Sequence, residues 1–163
     1  MNGGISDKFQ EQVHLTYEEH FRRIFTFFVS FLRTLEKELG SERMIDIVRT
    51  WNIQRGIEIG ERASFKNFND FRDYWMGTAD HKYWSGTFTV EFPEVTESVL
   101  QCKYTECLWA KIFNELNAAD IGKVAICEKD FTMAKTMSPH LRLERTKTLM
   151  EGHDCCNHRF IWE

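Results

Sequence analysis

Apolar positions at helical spacing dominate the first half of the chain. Phe21, Ile24, Phe25, Phe28, Phe31, Leu32 and Leu35 recur at intervals of three and four, as on one stripe of a helix. Thr16 with Glu19 three residues on makes a capping box, and Gly40 supplies a stop, so a helix is predicted over residues 16–40. Ser41 opens a second periodic run through Met44, Ile45, Ile47, Val48, Trp51 and Ile57, closing near Gly60. A shorter helix follows over residues 68–76. The period then changes. Trp84, Gly86, Phe88, Val90 and Phe92 alternate with Ser85, Thr87, Thr89 and Glu91, which predicts a half-buried strand over residues 83–92. Pro93-Glu94 reads as a turn into a returning strand over residues 95–104. Thr105 is positioned to cap a helix over residues 106–116, and a further helical stretch runs from Asp120 through Phe131 until Pro139 ends it. Residues 141–150 and 155–162 are two alternating runs joined by Glu151-Gly152-His153-Asp154.

These elements imply an α+β fold, with N-terminal helices packed on a small, mainly antiparallel sheet of about four strands. A length of 163 residues suits one domain and is short for two. The expected division is a polar segment over residues 1–15 and a single domain over 16–163. Within that domain residues 16–80 form a helical half, and residues 83–163 a sheet-and-helix half that carries the chemistry. A net charge of −4 gives no electrostatic footprint for nucleic acid, so no nucleic-acid partner is expected. The longest apolar stretch, near residues 24–32, is broken by Thr26 and Ser30 and falls far short of a membrane span, so no membrane partner is expected either. The N-terminus shows no apolar leader, so a cytoplasmic location is expected. There its five cysteines are core residues, metal ligands or reactive thiols rather than disulfides. Phe25, Phe27, Phe28 and Phe31 wrap too far around one helix for a single stripe, which points to a second copy of the chain as partner.

The closing hairpin is where chemistry concentrates. Strand alternation puts Leu141, Leu143, Arg145, Lys147 and Leu149 on one face, and Cys156, His158, Phe160 and Trp162 on one face of the partner run. A mostly apolar face would then hold a thiol, an imidazole and two cations, which is costly unless an anion meets them. That anion is an internal carboxylate or the carboxylate of a small-molecule ligand. Glu144, Thr146, Thr148, Asn157 and Arg159 fall on the opposite, solvated face. A thiol beside an imidazole and cations is expected to have a lowered pKa, favouring Cys156 as a nucleophile and His158 as a proton carrier. Both are equally readable as core residues. Cys102, Cys127 and Cys155 are a weaker alternative, a sulfur-rich zinc site completed by Cys156, His158 or Asp130, although their spacing is not that of a zinc ribbon. No cofactor is required by the sequence, zinc being the one it would accommodate.

The run Gly152-His153-Asp154-Cys155-Cys156-Asn157-His158-Arg159-Phe160, preceded by Leu143-Glu144-Arg145-Thr146 and Thr148-Leu149, resembles the ending of the L-2-amino-thiazoline-4-carboxylic acid hydrolase family. His153 and Asn157 stand where that ending carries acids. Cys102, Trp109, Cys127 and Asp130 are also similarly placed. The resemblance spans residues 83–163 and implies hydrolytic opening of a carboxylate-bearing thiazoline. Cys156, His158 and Asp154 would be the catalytic group, and Arg145, Lys147 and Arg159 would bind the substrate. The late-cysteine α+β layout is also similar to vinyl-reductase-like ligand-binding domains, which implies the alternative of a small-molecule or zinc-binding sensor module without turnover.

Overall fold

The computed structural model describes residues 14–163, so most of the polar segment expected over residues 1–15 lies outside the described residues. The capping box forms as the sequence predicts. Thr16 Oγ1 accepts from Glu19 N–H, Glu19 Oε2 accepts from Thr16 N–H, and α1 runs over Tyr17–Leu39. Gly40 separates it from α2 (Ser41–Arg62) with a φ of 82°, a value glycine reaches without steric cost. α3 (Phe68–Gly77) is capped by Asn67 and leads through a 3-10 turn into α4 (Lys82–Ser85). The strand expected from residue 83 therefore begins later, as β1 (Phe88–Val95), because Lys82 to Ser85 coil into a helical turn first.

β1 runs through Pro93 rather than turning there, and the reversal falls at residues 96–98. Two features allow it. β1 is an edge strand, and its pairing with β2 (Val99–Cys107) slips between Glu91 and Glu94, so the missing proline N–H removes no ladder bond. α5 (Leu108–Glu115) follows. α6 (Ala119–Gly122) passes directly into a π-helical turn, Lys123–Cys127, and then α7 (Lys129–Met137). β3 (Leu141–Glu144) and β4 (Cys156–Trp162) complete an antiparallel sheet of order β1-β2-β4-β3. The run expected over residues 141–150 is strand only to Glu144. Beyond it the chain is extended, then forms a 3-10 turn, Leu149–Glu151.

The core has two parts. Phe68 and Phe71 of α3 and Met133, Ala134 and Met137 of α7 cover Leu100, Leu143 and Phe160 on one face of the sheet. Val29, Leu32, Met44 and Val48 of α1 and α2 pack on Phe113, Ile121 and Val124. α2 lies tightly on α7, since a Cβ at Gly60 would stand 2.6 Å from Thr136 Cβ and 2.8 Å from Met133 O. Phe25 and Phe28 turn inward to this core, whereas Ile24, Phe27 and Phe31 stay exposed along α1. No helix among the described residues is long and apolar enough to cross a membrane.

Candidate active site

β4 aims Cys156, His158 and Phe160 at α7, and all three are buried. Their neighbours on β2 are set by the register: Tyr104 opposite Cys156, Cys102 opposite His158. Arg145 follows the last residue of β3. There a side chain joins the pairing to β4, because Asn157 Oδ1 accepts from the backbone N–H of Thr146 (3.0 Å) and of Lys147 (2.6 Å) while Asn157 N–H donates to Lys147 O. That irregularity keeps Arg145 on the inner face while changing the phase of what comes after it.

The opposing wall is the π-helical turn. Its bond from Glu128 N–H to Lys123 O spans five residues instead of four and releases carbonyls that an α-helix would engage. Asn52 Nδ2 donates to Val124 O, Lys129 Nζ to Ile126 O, and both Arg145 terminal nitrogens to Cys127 O. Arg145 also pairs with Asp130 Oδ2 at 2.9 Å and lies 4.8 Å from the centre of the Phe131 ring. Its Nη1 is 3.3 Å from His158 Nε2. A guanidinium only donates, so Nε2 is the lone-pair nitrogen and the imidazole proton sits on Nδ1. That Nδ1–H is buried with no partner, and His158 as a whole is 8% exposed. The Tyr104 ring lies tilted against the imidazole, centroids 5.0 Å apart, and its hydroxyl accepts from Trp75 Nε1 at 3.2 Å.

Burial governs titration here. It pushes His158 down to about 4 against the pull of Asp130, so the ring is neutral at pH 7. Burial also pushes Asp130 up, but Lys129, His158 and Arg145 together outweigh it and keep the carboxyl below its ordinary value. The Cys156 thiol is raised, burial outweighing the N–H of Leu149 and the charge of Arg145, which reverses the lowered pKa expected from its neighbours. Burial takes Cys102 up to about 12 and Cys107 up to about 11. Cys107, Cys127 and Cys156 are near enough that charge on one would disfavour charge on the others.

The structure gathers Cys156, His158, Arg145, Asp130 and Cys127, and separates the rest. Lys147 and Asp154 form an ion pair at 2.9 Å on the surface, 47% and 71% exposed, away from the imidazole. Arg159 lies on the outer face of β4, paired with Glu94. Thr148, expected on the solvated face, is buried instead, because the chain has left the strand before reaching it. Cys155 is buried as well. Cys102, Cys127 and Cys155 do not converge, and among the described residues no three His, Cys, Asp or Glu side chains form a metal-ligand set. Sequence reasoning missed Lys129, Tyr104 and Trp75. A groove of about 470 Å³ opens beside the cluster, lined by Gly86, Phe88, Cys107, Lys111, Asn114 and Leu149.

No curated protein sequence matches the chain. Among solved structures it is similar to the phenol-responsive sensory domain of the transcription activator PoxR, crystallised with phenol. The TM-score is 0.52 with 14% identity over 93% of this chain and 78% of that one, a likeness of fold. The sequence profile of L-2-amino-thiazoline-4-carboxylic acid hydrolase matches residues 17–160, which takes in the helical half as well as the cysteine-histidine strand. The chain belongs to the L-2-amino-thiazoline-4-carboxylic acid hydrolase family.

Proposed function

We propose that the chain is a hydrolase that opens a small carboxylate-bearing thiazoline, taking L-2-amino-thiazoline-4-carboxylate to an N-carbamoyl-cysteine-type product. The observation that carries this reading is the unpartnered Nδ1–H of His158, a buried donor beside Arg145 and Cys156 in the family's own terminal motif. A buried polar group without a partner is rare, and a ligand acceptor is its natural complement.

In the proposed reaction Arg145 holds the substrate carboxylate. His158 Nδ1–H donates to the ring nitrogen and polarises the carbon between nitrogen and sulfur. Water bonds to that carbon through oxygen, and one of its protons passes to the ring nitrogen. The carbon–sulfur bond then breaks with its electron pair on sulfur. Cys156, protonated at neutral pH because its pKa is raised, gives its proton to the departing sulfur and takes the hydroxyl proton in return. One water is added and nothing is oxidised.

Mass-resolved turnover of L-2-amino-thiazoline-4-carboxylate by wild type, His158→Ala and Cys156→Ser tests this. The expected product is heavier by one water and is abolished in His158→Ala, with a large loss in Cys156→Ser. A second reading, ligand binding without turnover, draws support from the fold shared with a sensory domain. Thermal stabilisation by the compound with no product would replace the first reading by the second.

A further inference from the structure

Two cations share one carboxylate inside the cluster. Arg145 reaches Asp130 Oδ2 at 2.9 Å, and Lys129 Nζ reaches Asp130 Oδ1 at 3.3 Å. Their other protein acceptors are neutral, Cys127 O and His158 Nε2 for Arg145 and Ile126 O for Lys129. Neither pairs with a second carboxylate among the described residues. The acids nearest in sequence are engaged elsewhere: Glu128 with Arg49, Glu144 with Arg142, Glu151 with Lys123, Asp154 with Lys147. Arg145 is 6% exposed and Lys129 21%, so water compensates the surplus positive charge only in part. His158 is neutral and adds no charge, but its buried Nδ1–H faces no acceptor. One positive charge in excess and one donor in excess describe a site made for an anion that also carries a hydrogen-bond acceptor.

We infer that Lys129 is a second substrate-binding cation, acting with Arg145 on the carboxylate of a small monoanionic ligand whose other end presents an acceptor to His158. Lys129 takes the part that strand alternation would give to Lys147, whose ammonium is occupied by Asp154 at the surface. The π-helical turn makes this arrangement, since it frees Ile126 O to anchor the Lys129 ammonium at 2.8 Å beside Asp130. The inference rests on the site proposed above and names the ligand chemistry it selects.

Calorimetric binding of two probes tests it, L-2-amino-thiazoline-4-carboxylate and 2-aminothiazoline, which lacks the carboxylate, with turnover of the first followed in the same samples. Lys129→Met is expected to weaken the carboxylate probe about tenfold or more and not to weaken the probe without a carboxylate. Lys129→Arg should restore carboxylate binding, and Lys147→Met should change neither probe. Thermal unfolding of each variant identifies any that fails to fold, and Lys129→Arg then carries the comparison. Where turnover occurs, the loss in Lys129→Met should appear in KM with kcat within about twofold. Equal carboxylate affinity in wild type and Lys129→Met, equal weakening of both probes, or no carboxylate binding by wild type overturns the inference. Turnover unaffected by Lys129→Met removes the inference alone. Carboxylate-selective binding that depends on Lys129, without turnover, removes the hydrolase reading and leaves the inference standing.

Discussion

Lowering the pH sets His158 against the rest of the core. In the unfolded chain its imidazole titrates near 6.5, and in the folded chain burial holds it at about 4. Between those values the unfolded state binds the proton and the folded state does not, so stability falls as the pH is lowered through that window. At about 1.4 kcal/mol for each pH unit, the full interval is worth about 3 kcal/mol, of which about 2.5 kcal/mol is lost by pH 4.5. The sign is that of a depressed pKa: the stability is complete above 6.5 and lost as the pH approaches the folded value. Asp130 does not confound this window, because its carboxyl is held below its ordinary value and titrates at lower pH. Urea unfolding of wild type and His158→Gln at pH 7.0, 6.0, 5.0 and 4.5 reads the effect. The two proteins will differ by a constant offset for the lost ring, and wild type should lose about 2.5 kcal/mol more than the variant by pH 4.5. Parallel stability curves would refute the claim that His158 is buried and neutral, and with it the assignment of the proton to Nδ1.

Two further outcomes are expected. Gly60→Ala should cost about 1–3 kcal/mol in thermal or urea unfolding, because the new methyl would stand 2.6 Å from Thr136 Cβ and 2.8 Å from Met133 O and force α2 off α7. Gly77→Ala, where a Cβ meets nothing within 4 Å, should be neutral, and equal costs at the two sites would contradict the tight α2–α7 contact. The thiol of Cys102, fully buried and raised by burial to about 12, should resist alkylation at pH 7.5 in the folded protein and react on unfolding. Mass spectrometry after iodoacetamide follows it, and rapid labelling of Cys102 in the native state would contradict its placement.

Signals confined to a few residues transfer directly from sequence to structure. The Thr16–Glu19 capping box and the inward parity of Cys156, His158 and Phe160 depend on one helical turn or one strand, and both are found. Features that depend on distant partners are not legible in that way. Alternation carries Arg145 inward but fails for Lys147 and Thr148, because β3 ends at Glu144 and the Asn157 side chain joins the pairing. Pro93 reads as a turn until β1 is known to be an edge strand with irregular pairing, where a proline is tolerated. The lowered pKa expected for Cys156 follows from its neighbours in sequence, whereas the raised one follows from burial, which is a property of the whole core. Lys129 has no local mark at all. Its role depends on Arg145 and Asp130 converging across the layer between α7 and the sheet.

The π-helical turn over Lys123–Cys127 amounts to one residue more than a regular α-helix would hold between α6 and α7. Each residue advances a helix by about 100°, so deleting one residue from this turn would swing everything after it around the axis by that angle. Asp130 would leave the sheet-facing side and Lys129 its place against α2, while Met133, Ala134 and Met137 would lose their places in the core. The supernumerary residue thus couples two properties that could otherwise drift apart, the packing of α7 and the charge presented to β4. A lineage that lost it would have to rebuild both at once.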